Sequence, residues 1–353
     1  MPKAKTGGAR GARRSRPVGA GGRRLAKAFE AVARLPVLAD LQSRTVRLAA
    51  RQAASSPELV EAVESDAALA IAMLRAANNG SGPSGRAGSV QEAVEALQPD
   101  RVGEIAGGLD SYDVLDSPGM LAERYERFRR HGVATQAAAD QIAEWARVPR
   151  RDELAVAALL HDVGRLVMIE LYGDPSAQGA AGETPEARVG RERRELGIDH
   201  ALVGSVLVRR WGLRPGIALA IERHHSRDAE GHAAVIRLAD LVVHYGNGGA
   251  VTGEVVATAA VPLELGPERL RTLLYEFPAT GPPRRRPTDP CPLSNREMDA
   301  LKGLAEGKVY KQIAHELELS VSTIRTHLHN VYRKIGAVDR AQTVLIASDR
   351  GWI

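Results

Sequence analysis

The stretch Ser320-Val-Ser-Thr-Ile-Arg-Thr-His-Leu-His-Asn-Val-Tyr-Arg-Lys-Ile335 decides how this chain is read. Ile324, Leu328, Val331 and Ile335 recur at helical spacing, which predicts one helix with a single apolar face. Ser320 stands where an N-cap belongs, and Gly336 ends the pattern. The opposite face carries Ser322, Arg325, Thr326, His329 and Arg333. Upstream, Ile313, Ala314 and Leu317 mark a shorter helix, separated from the first by the tight turn Glu318-Leu319-Ser320. Earlier still, Ser294-Asn-Arg-Glu297 is a capping box that starts a helix with Met298, Leu301, Leu304 and Ala305 on its apolar stripe and Gly307 as its stop. Val344 and Ala347 lie on a fourth helix ending at Gly351. Two short helices joined by a tight turn, the second with a basic and hydroxylic outer face, describe a helix-turn-helix whose second helix fits the major groove. A small helical bundle with a solvated polar face has the same spacing.

The distribution of charge bears on that choice. The net charge is +5, but residues 1–27 hold nine Lys/Arg and no acid, and residues 291–353 hold nine Lys/Arg against seven acids. The segment between them carries 30 basic and 36 acidic residues, so the positive charge sits at the two ends. A basic C-terminal unit fits a phosphate footprint. Ala, Leu, Val and Arg dominate and aromatics are scarce, as suits a mostly helical chain. The single cysteine, Cys291, excludes a disulfide framework and a Cys-based zinc site, and fits a reducing cytoplasm. No apolar run reaches the ~18 residues of a membrane span, and no apolar segment follows the basic N-terminus as in a signal peptide.

Several motifs in the C-terminal unit carry a resemblance. Leu293-Ser-Asn-Arg-Glu297, Leu304-Ala-Glu-Gly307, Lys311-Gln-Ile-Ala314, Ser320 through His327, Arg333-Lys-Ile-Gly336 and the ending from Arg340-Ala341 to Gly351 resemble the LuxR/GerE-type helix-turn-helix. The resemblance implies binding of double-stranded DNA, with Arg325, Thr326 and His329 facing the bases. His329 departs from the Lys or Ser common at its position, which bears on the target sequence. Ser322 and Thr323 complete the candidate DNA-binding face, and Lys311, Arg333 and Lys334 are candidate phosphate contacts. In that family the fourth helix often pairs two copies, which implies a homodimer.

The body of the chain is a helical block. Arg34-Leu-Pro-Val-Leu38 reads as a helix start, since Pro is tolerated in a first turn. Leu69, Met73 and Leu74 give a following helix its stripe, Asn78 to Gly85 is a loop, Ala93 and Leu97 sit on a short helix, and Ser111 to Met120 is loop-like. Residues 153–170 read as one helix, apolar nearly all round and therefore buried. His161 and Asp162 lie in its middle, and a buried carboxylate is costly unless paired or metal-bound. The partners on offer are His131, His200, His224, His225 and Asp240, a ligand set that suits divalent iron, manganese or zinc. Trp145 and Trp211 read as packing residues, the run Arg191–Arg194 as a solvated helix face, and His232 and His244 as surface or cap residues.

His131, His161-Asp162 and Asp240 occupy the positions of the HD signature. With Leu35-Pro36, Asp66, Leu74 to Asn78 and Leu160-His-Asp-Val-Gly164, the block resembles the HDOD family, a helical HD-related output domain. That resemblance implies a non-enzymatic signalling module that requires no cofactor and receives an unknown signal or partner protein. His200, His224 and His225 resemble the larger ligand set of HD-GYP cyclic-dinucleotide phosphodiesterases, which makes a metal-dependent phosphohydrolase fused to a DNA-binding unit the alternative. Arg165 stands where active enzymes often have Lys, and no Gly-Tyr-Pro follows His225.

The expected organisation is all-α: a disordered basic tail over 1–27, an HDOD-like helical domain over 28–276, a Pro/Arg-rich linker over 277–291, and a four-helix LuxR-type domain over 292–353. The expected function is a cytoplasmic, dimeric DNA-binding transcription regulator, without membrane attachment.

Overall fold

The computed structural model describes residues 20–51, 57–79, 86–113, 120–173, 183–275, 291–337, 339–350 and 352–353. The first helix, α1 (Ala20–Val32), begins inside the stretch expected to be disordered. Ala28, Phe29 and Val32 are buried, with Leu25 packed against the same core, and the helix lies on α8 (Val163–Tyr172). That apolar anchor orders Ala20–Lys27 despite their basic character; residues 1–19 lie outside the described residues.

Pro36 does not open a helix. It precedes the two-residue strand β1 (Val37–Leu38), which pairs in parallel with β2 (Ser111–Tyr112). Helix α2 (Ala39–Ala50) starts directly after β1. Then come α3 (Pro57–Glu64) and α4 (Ala67–Asn78). Asp66 ties these together: Oδ1 accepts the Ala68 N–H at 2.7 Å as the α4 cap, and Oδ2 accepts the Leu38 N–H at 3.1 Å. Helix α5 (Val90–Gly107) is longer than the sequence suggests and broken at Gln98, whose φ is 64°. Pro99 accounts for the break, since its ring disfavours the α region for the residue before it, though not for the sign of that φ.

The second half of the domain contains α6 (Met120–Trp145), α7 (Arg151–Leu160), α8, α9 (Pro185–Leu196), α10 (His200–Arg210), α11 (Pro215–Arg223), α12 (Gly231–Gly246), α13 (Gly253–Ala260) and α14 (Pro267–Tyr275). The single helix expected over 153–170 is two. His161 and Asp162 form the turn between α7 and α8. In a continuous helix, consecutive side chains would splay by about 100°; the break lets both reach one centre. Helices α7 and α12 pack against α6, and α10 packs against α8 and α11. Leu69, Met73, Leu154, Leu159, Leu160 and Met168 are among the fully buried residues of this core.

The C-terminal unit has its own core and four helices: α15 (Asn295–Ala305), α16 (Tyr310–Glu316), α17 (Val321–Ile335) and α18 (Arg340–Asp349). The Ser294/Glu297 capping box is formed, with the Ser294 N–H donating to Glu297 Oε2 at 2.8 Å. Ile313, Ala314, Ile324, Leu328, Val331, Ile335, Val344 and Ala347 are buried. Besides α15 and α17, α18 packs against α13 and α14 of the preceding domain. Residues 277–290 of the expected linker and Gly351 lie outside the described residues.

Candidate nucleic-acid interface and metal centre

Helix α17 divides cleanly. Ser320 Oγ accepts the Thr323 N–H at 3.0 Å and fixes its first turn. Ile324, Leu328, Val331 and Ile335 are buried, whereas Ser322, Arg325, Thr326, His329 and Arg333 are exposed and Thr323 is half-buried. Lys311 on α16 is exposed on the neighbouring helix. The Arg325 guanidinium, a flat fork of donors, is thus presented on a rigid rod of a width the major groove admits. Lys334 also serves as a brace. Its Nζ donates to Glu297 Oε2 at 2.7 Å, clamping the end of α17 to the start of α15.

Three helices and two turns bring the histidines and aspartates together. His131 comes from α6, Asp240 and His244 from α12, His200 from the first turn of α10, His161 and Asp162 from the α7–α8 turn, and His224 and His225 from the turn that follows α11. All seven residues singled out from the sequence meet. His131 Nε2 lies 3.2 Å from His161 Nε2 and 3.1 Å from Asp240 Oδ1. His200 Nε2 lies 3.2 Å from Asp162 Oδ1 and 3.0 Å from His225 Nε2. Arg165 donates to Asp162 Oδ2 at 2.7 Å.

The outward-facing ring nitrogens explain the orientation. His161 Nδ1 lies 2.8 Å from Ala158 O, His224 Nδ1 2.6 Å from Ile221 O, and His200 Nδ1 2.7 Å from Glu192 Oε2. Protons on those three Nδ1 atoms turn the Nε2 lone pairs inward, the pattern that carbonyl and carboxylate partners impose on metal-ligating histidines. Two imidazole nitrogens 3.0–3.2 Å apart repel unless a proton or a cation lies between them. His224 Nε2 is buried and has no hydrogen-bond partner among the described residues. Three overlapping ligand groups result: Asp162 with His200, His224 and His225; His131 with His161 and Asp162; and His131 with Asp240 and His244. The donor set fits a divalent transition metal.

Electrostatics separate the histidines. Burial pushes His224 down to about 4 and His225 well below the usual imidazole range, so both are neutral ligand-type rings. Burial also acts on His200, but Asp162 and Glu192 outweigh it and lift the ring to about 9, so its Nε2 carries a proton at neutral pH that a bound metal would have to displace. For Asp162, burial is outweighed by Arg165 and His161, which hold the carboxyl well below its ordinary range.

Two residues differ from their sequence reading. His244 is not a surface or cap residue: its Nε2 lies 3.3 Å from Asp240 Oδ1, within the centre. Its position one helical turn after Asp240 is the signal that could have placed it. Glu192 does not belong to a solvated face: it is buried and accepts from both the ring and the backbone of His200. His232, by contrast, is half-buried and bonds Pro149 O away from the centre, and Trp145 and Trp211 pack as expected.

Residues 35–227 match the family model described as HDOD domain, and residues 291–347 match that of bacterial regulatory proteins, luxR family. The first match covers more than half of the chain, which therefore belongs to the HDOD domain family. Among curated relatives, an uncharacterized transcriptional regulatory protein YvfU of Bacillus subtilis (strain 168) is 38% identical over 65 residues, 18% of this chain and 32% of that protein. The nitrate/nitrite response regulator protein NarP of Escherichia coli (strain K12) is 42% identical over 60 residues, 17% of this chain and 28% of its own length. The chain thus spans about a third or less of these curated relatives. Among solved structures, the MmoQ response regulator from Methylococcus capsulatus str. Bath superposes with a TM-score of 0.54 at 22% identity, covering 68% of this chain and 97% of that one. A virulence factor from Campylobacter jejuni subsp. jejuni gives 0.52 at 17% identity, covering 73% and 99%. These two likenesses show the fold of the helical body. Among the described residues, no helix is long and apolar enough to cross a membrane.

Proposed function

We propose that this protein is a cytoplasmic transcription regulator that binds double-stranded DNA through α17, as a homodimer on a two-fold-related site. The exposed row Ser322, Arg325, Thr326, His329 and Arg333, on a helix whose other face is buried, carries this reading. Arg325 bonds a guanine edge and Thr326 and His329 read neighbouring bases, while Lys311 and Arg333 grip phosphates. Half-sites about one helical turn apart suit a two-fold dimer. The HDOD domain receives a signal or a partner protein and, because α18 packs on α13 and α14, sets how available the DNA-binding unit is.

The test is selection of bound fragments from genomic DNA, followed by variants on the selected site. Arg325→Ala relaxes base preference by roughly 1–3 kcal/mol at one position. Arg333→Ala weakens all sequences alike and flattens the salt dependence. Unchanged binding and preference in Arg325→Ala would mean that α17 is not the reading helix.

A second reading is favoured by the inward Nε2 set: the HDOD domain holds a divalent iron, manganese or zinc ion through His131, His161, Asp162, His200, His224, His225 and Asp240, with His244 added. When bound, such an ion supplies Lewis-acid activation of water and of a phosphoester. Arg165 orients Asp162, and Glu192 orients His200. Stoichiometric metal in the purified chain, lost in the double variant His161→Ala/Asp162→Ala, supports this reading; hydrolysis of a cyclic dinucleotide by the same preparation would extend it to an enzyme.

A further inference from the structure

Between α1, α4 and the end of α10 lies a polar groove of about 650 Å³. Its charged lining is Arg75, Arg86, Arg209 and Arg210 against a single acid, Glu30. Arg209 is engaged by Glu222 at 2.5 Å, and Arg210 meets Glu30 only at 3.7 Å, with both side chains more than half exposed. Arg75 donates one bond to Ala33 O and lies with its guanidinium 5.9 Å from the Trp211 ring centre. Three of these arginines stand in the last turns of α4 and α10, where cations complement the helix dipoles. Arg86 stands on neither helix. Its Nε is buried and has no hydrogen-bond partner among the described residues, a costly state for a cationic donor. Gly212 borders the groove at φ +80°, a conformation that L side chains rarely adopt.

We propose that this groove binds a phosphorylated small molecule of nucleotide size, its phosphoryl oxygens taken by Arg75, Arg86 and Arg210 and its remainder lying along the groove beside the wall that Trp211 and Phe29 form. Guanidinium forks match phosphoryl oxygens in pairs, and the three supply the charge that a dianion needs. The volume lies within the range of small-molecule pockets, roughly 300–1,000 Å³. Trp211 and Phe29 are almost fully covered, so they form a wall rather than a free stacking platform. The site is separate from the histidine centre and from α17, and it stands whether or not either of those readings holds.

The chain has three tryptophans, so Trp145→Phe/Trp352→Phe leaves Trp211 as sole reporter. In that full-length variant, inorganic phosphate, pyrophosphate and guanosine or adenosine monophosphate are titrated against Trp211 emission. The wild-type chain is tested in parallel by equilibrium dialysis with the labelled monophosphates, which covers the case of a reporter variant that does not fold. Saturable binding of a nucleotide, weakened roughly tenfold or more by Arg86→Gln and unaffected by His161→Ala, supports the proposal. Binding of phosphate or pyrophosphate with equal strength would overturn the nucleotide-sized ligand and leave only a site for a small anion. The proposal is overturned if no probe is retained, if Arg86→Gln binds undiminished, if His161→Ala abolishes binding, or if Trp211 responds to duplex DNA alone.

Discussion

One carboxylate oxygen of Glu192 lies within hydrogen-bond distance of two nitrogens of His200, the backbone N at 2.9 Å and the ring Nδ1 at 2.7 Å. The pair fixes both the start of α10 and the direction of the ring, whose Nε2 is left facing Asp162 and His225. A carboxylate behind a histidine is the arrangement that sharpens a metal ligand, and losing it typically costs roughly 10–100-fold in affinity. If the centre holds the proposed divalent metal, Glu192→Gln lowers its retention by that order while leaving the helical content unchanged. Dialysis of the full chain against iron, manganese or zinc, followed by metal analysis, measures it. Full retention in the variant would detach Glu192 from the centre.

Gly164 marks where two helices touch without side chains between them. A Cβ at this position would lie 1.9 Å from His200 O and 2.6 Å from the Gly204 backbone nitrogen. Both obstacles are backbone, so no rotamer change relieves them, and α8 must move away from α10. Gly164→Ala is expected to destabilise the domain by about 1–3 kcal/mol or more and to pull Asp162 away from His200. Urea unfolding reads the first effect. A wild-type midpoint in the variant would contradict the close approach.

The sequence made the helix-turn-helix legible because its cues are local. Ser294, Glu297, Ser320 and Gly336 sit at fixed offsets from one apolar stripe, and the structure keeps each helix they imply. The histidine centre was legible residue by residue, since a buried His-Asp pair demands partners. Its geometry was not. The turn that separates α7 from α8 leaves no mark in the hydrophobic pattern, which runs unbroken from Leu154 to Leu166. Glu192 was hidden because three flanking arginines make its stretch look solvated, yet Arg191 and Arg193 are satisfied by Glu183 and Asp199, which leaves Glu192 to face inward. The helix over Ala20–Val32 was masked by a basic composition that outweighed four apolar positions. In each case the missing information was a tertiary neighbour.

The Glu297 carboxyl makes the C-terminal unit sensitive to acid. Lys334 beside it, together with the Ser294 N–H, holds it at about 2 against an ordinary 4.5. Folding favours the ionised form, so this contribution is complete above pH 4.5 and disappears as pH falls toward 2. Lys334→Ala should move the group back toward its ordinary value and raise the pH at which protection is lost. Hydrogen exchange of the first amides of α15, followed from pH 5 downward, reports the change. Identical acid profiles for the wild type and Lys334→Ala would remove the clamp from the account. Glu297→Ala should cost about 1 kcal/mol at neutral pH through the lost cap.

Helix α18 is engaged by the helical body as well as by its own unit. It packs on α13 and α14, where Gln342 Nε2 reaches Glu254 Oε1 at 3.5 Å. Alongside, the Arg271 guanidinium donates to Ala305 O at the end of α15 and attracts Glu306. If the proposed homodimer pairs through this face of α18, it has to displace these contacts first, and the free energy of docking is subtracted from that of dimerisation. Arg271→Glu replaces a donor by a carboxylate facing a carbonyl oxygen and Glu306, so it weakens docking without touching α17. Losing one such contact is worth about 1 kcal/mol, hence roughly a fivefold tighter apparent DNA affinity and a matching rise in dimer fraction. Sedimentation and fluorescence anisotropy on the full chain measure both. If dimer fraction and DNA affinity stay at wild-type levels, the two domains are neighbours without coupling; if affinity falls, the docked arrangement is the one that binds.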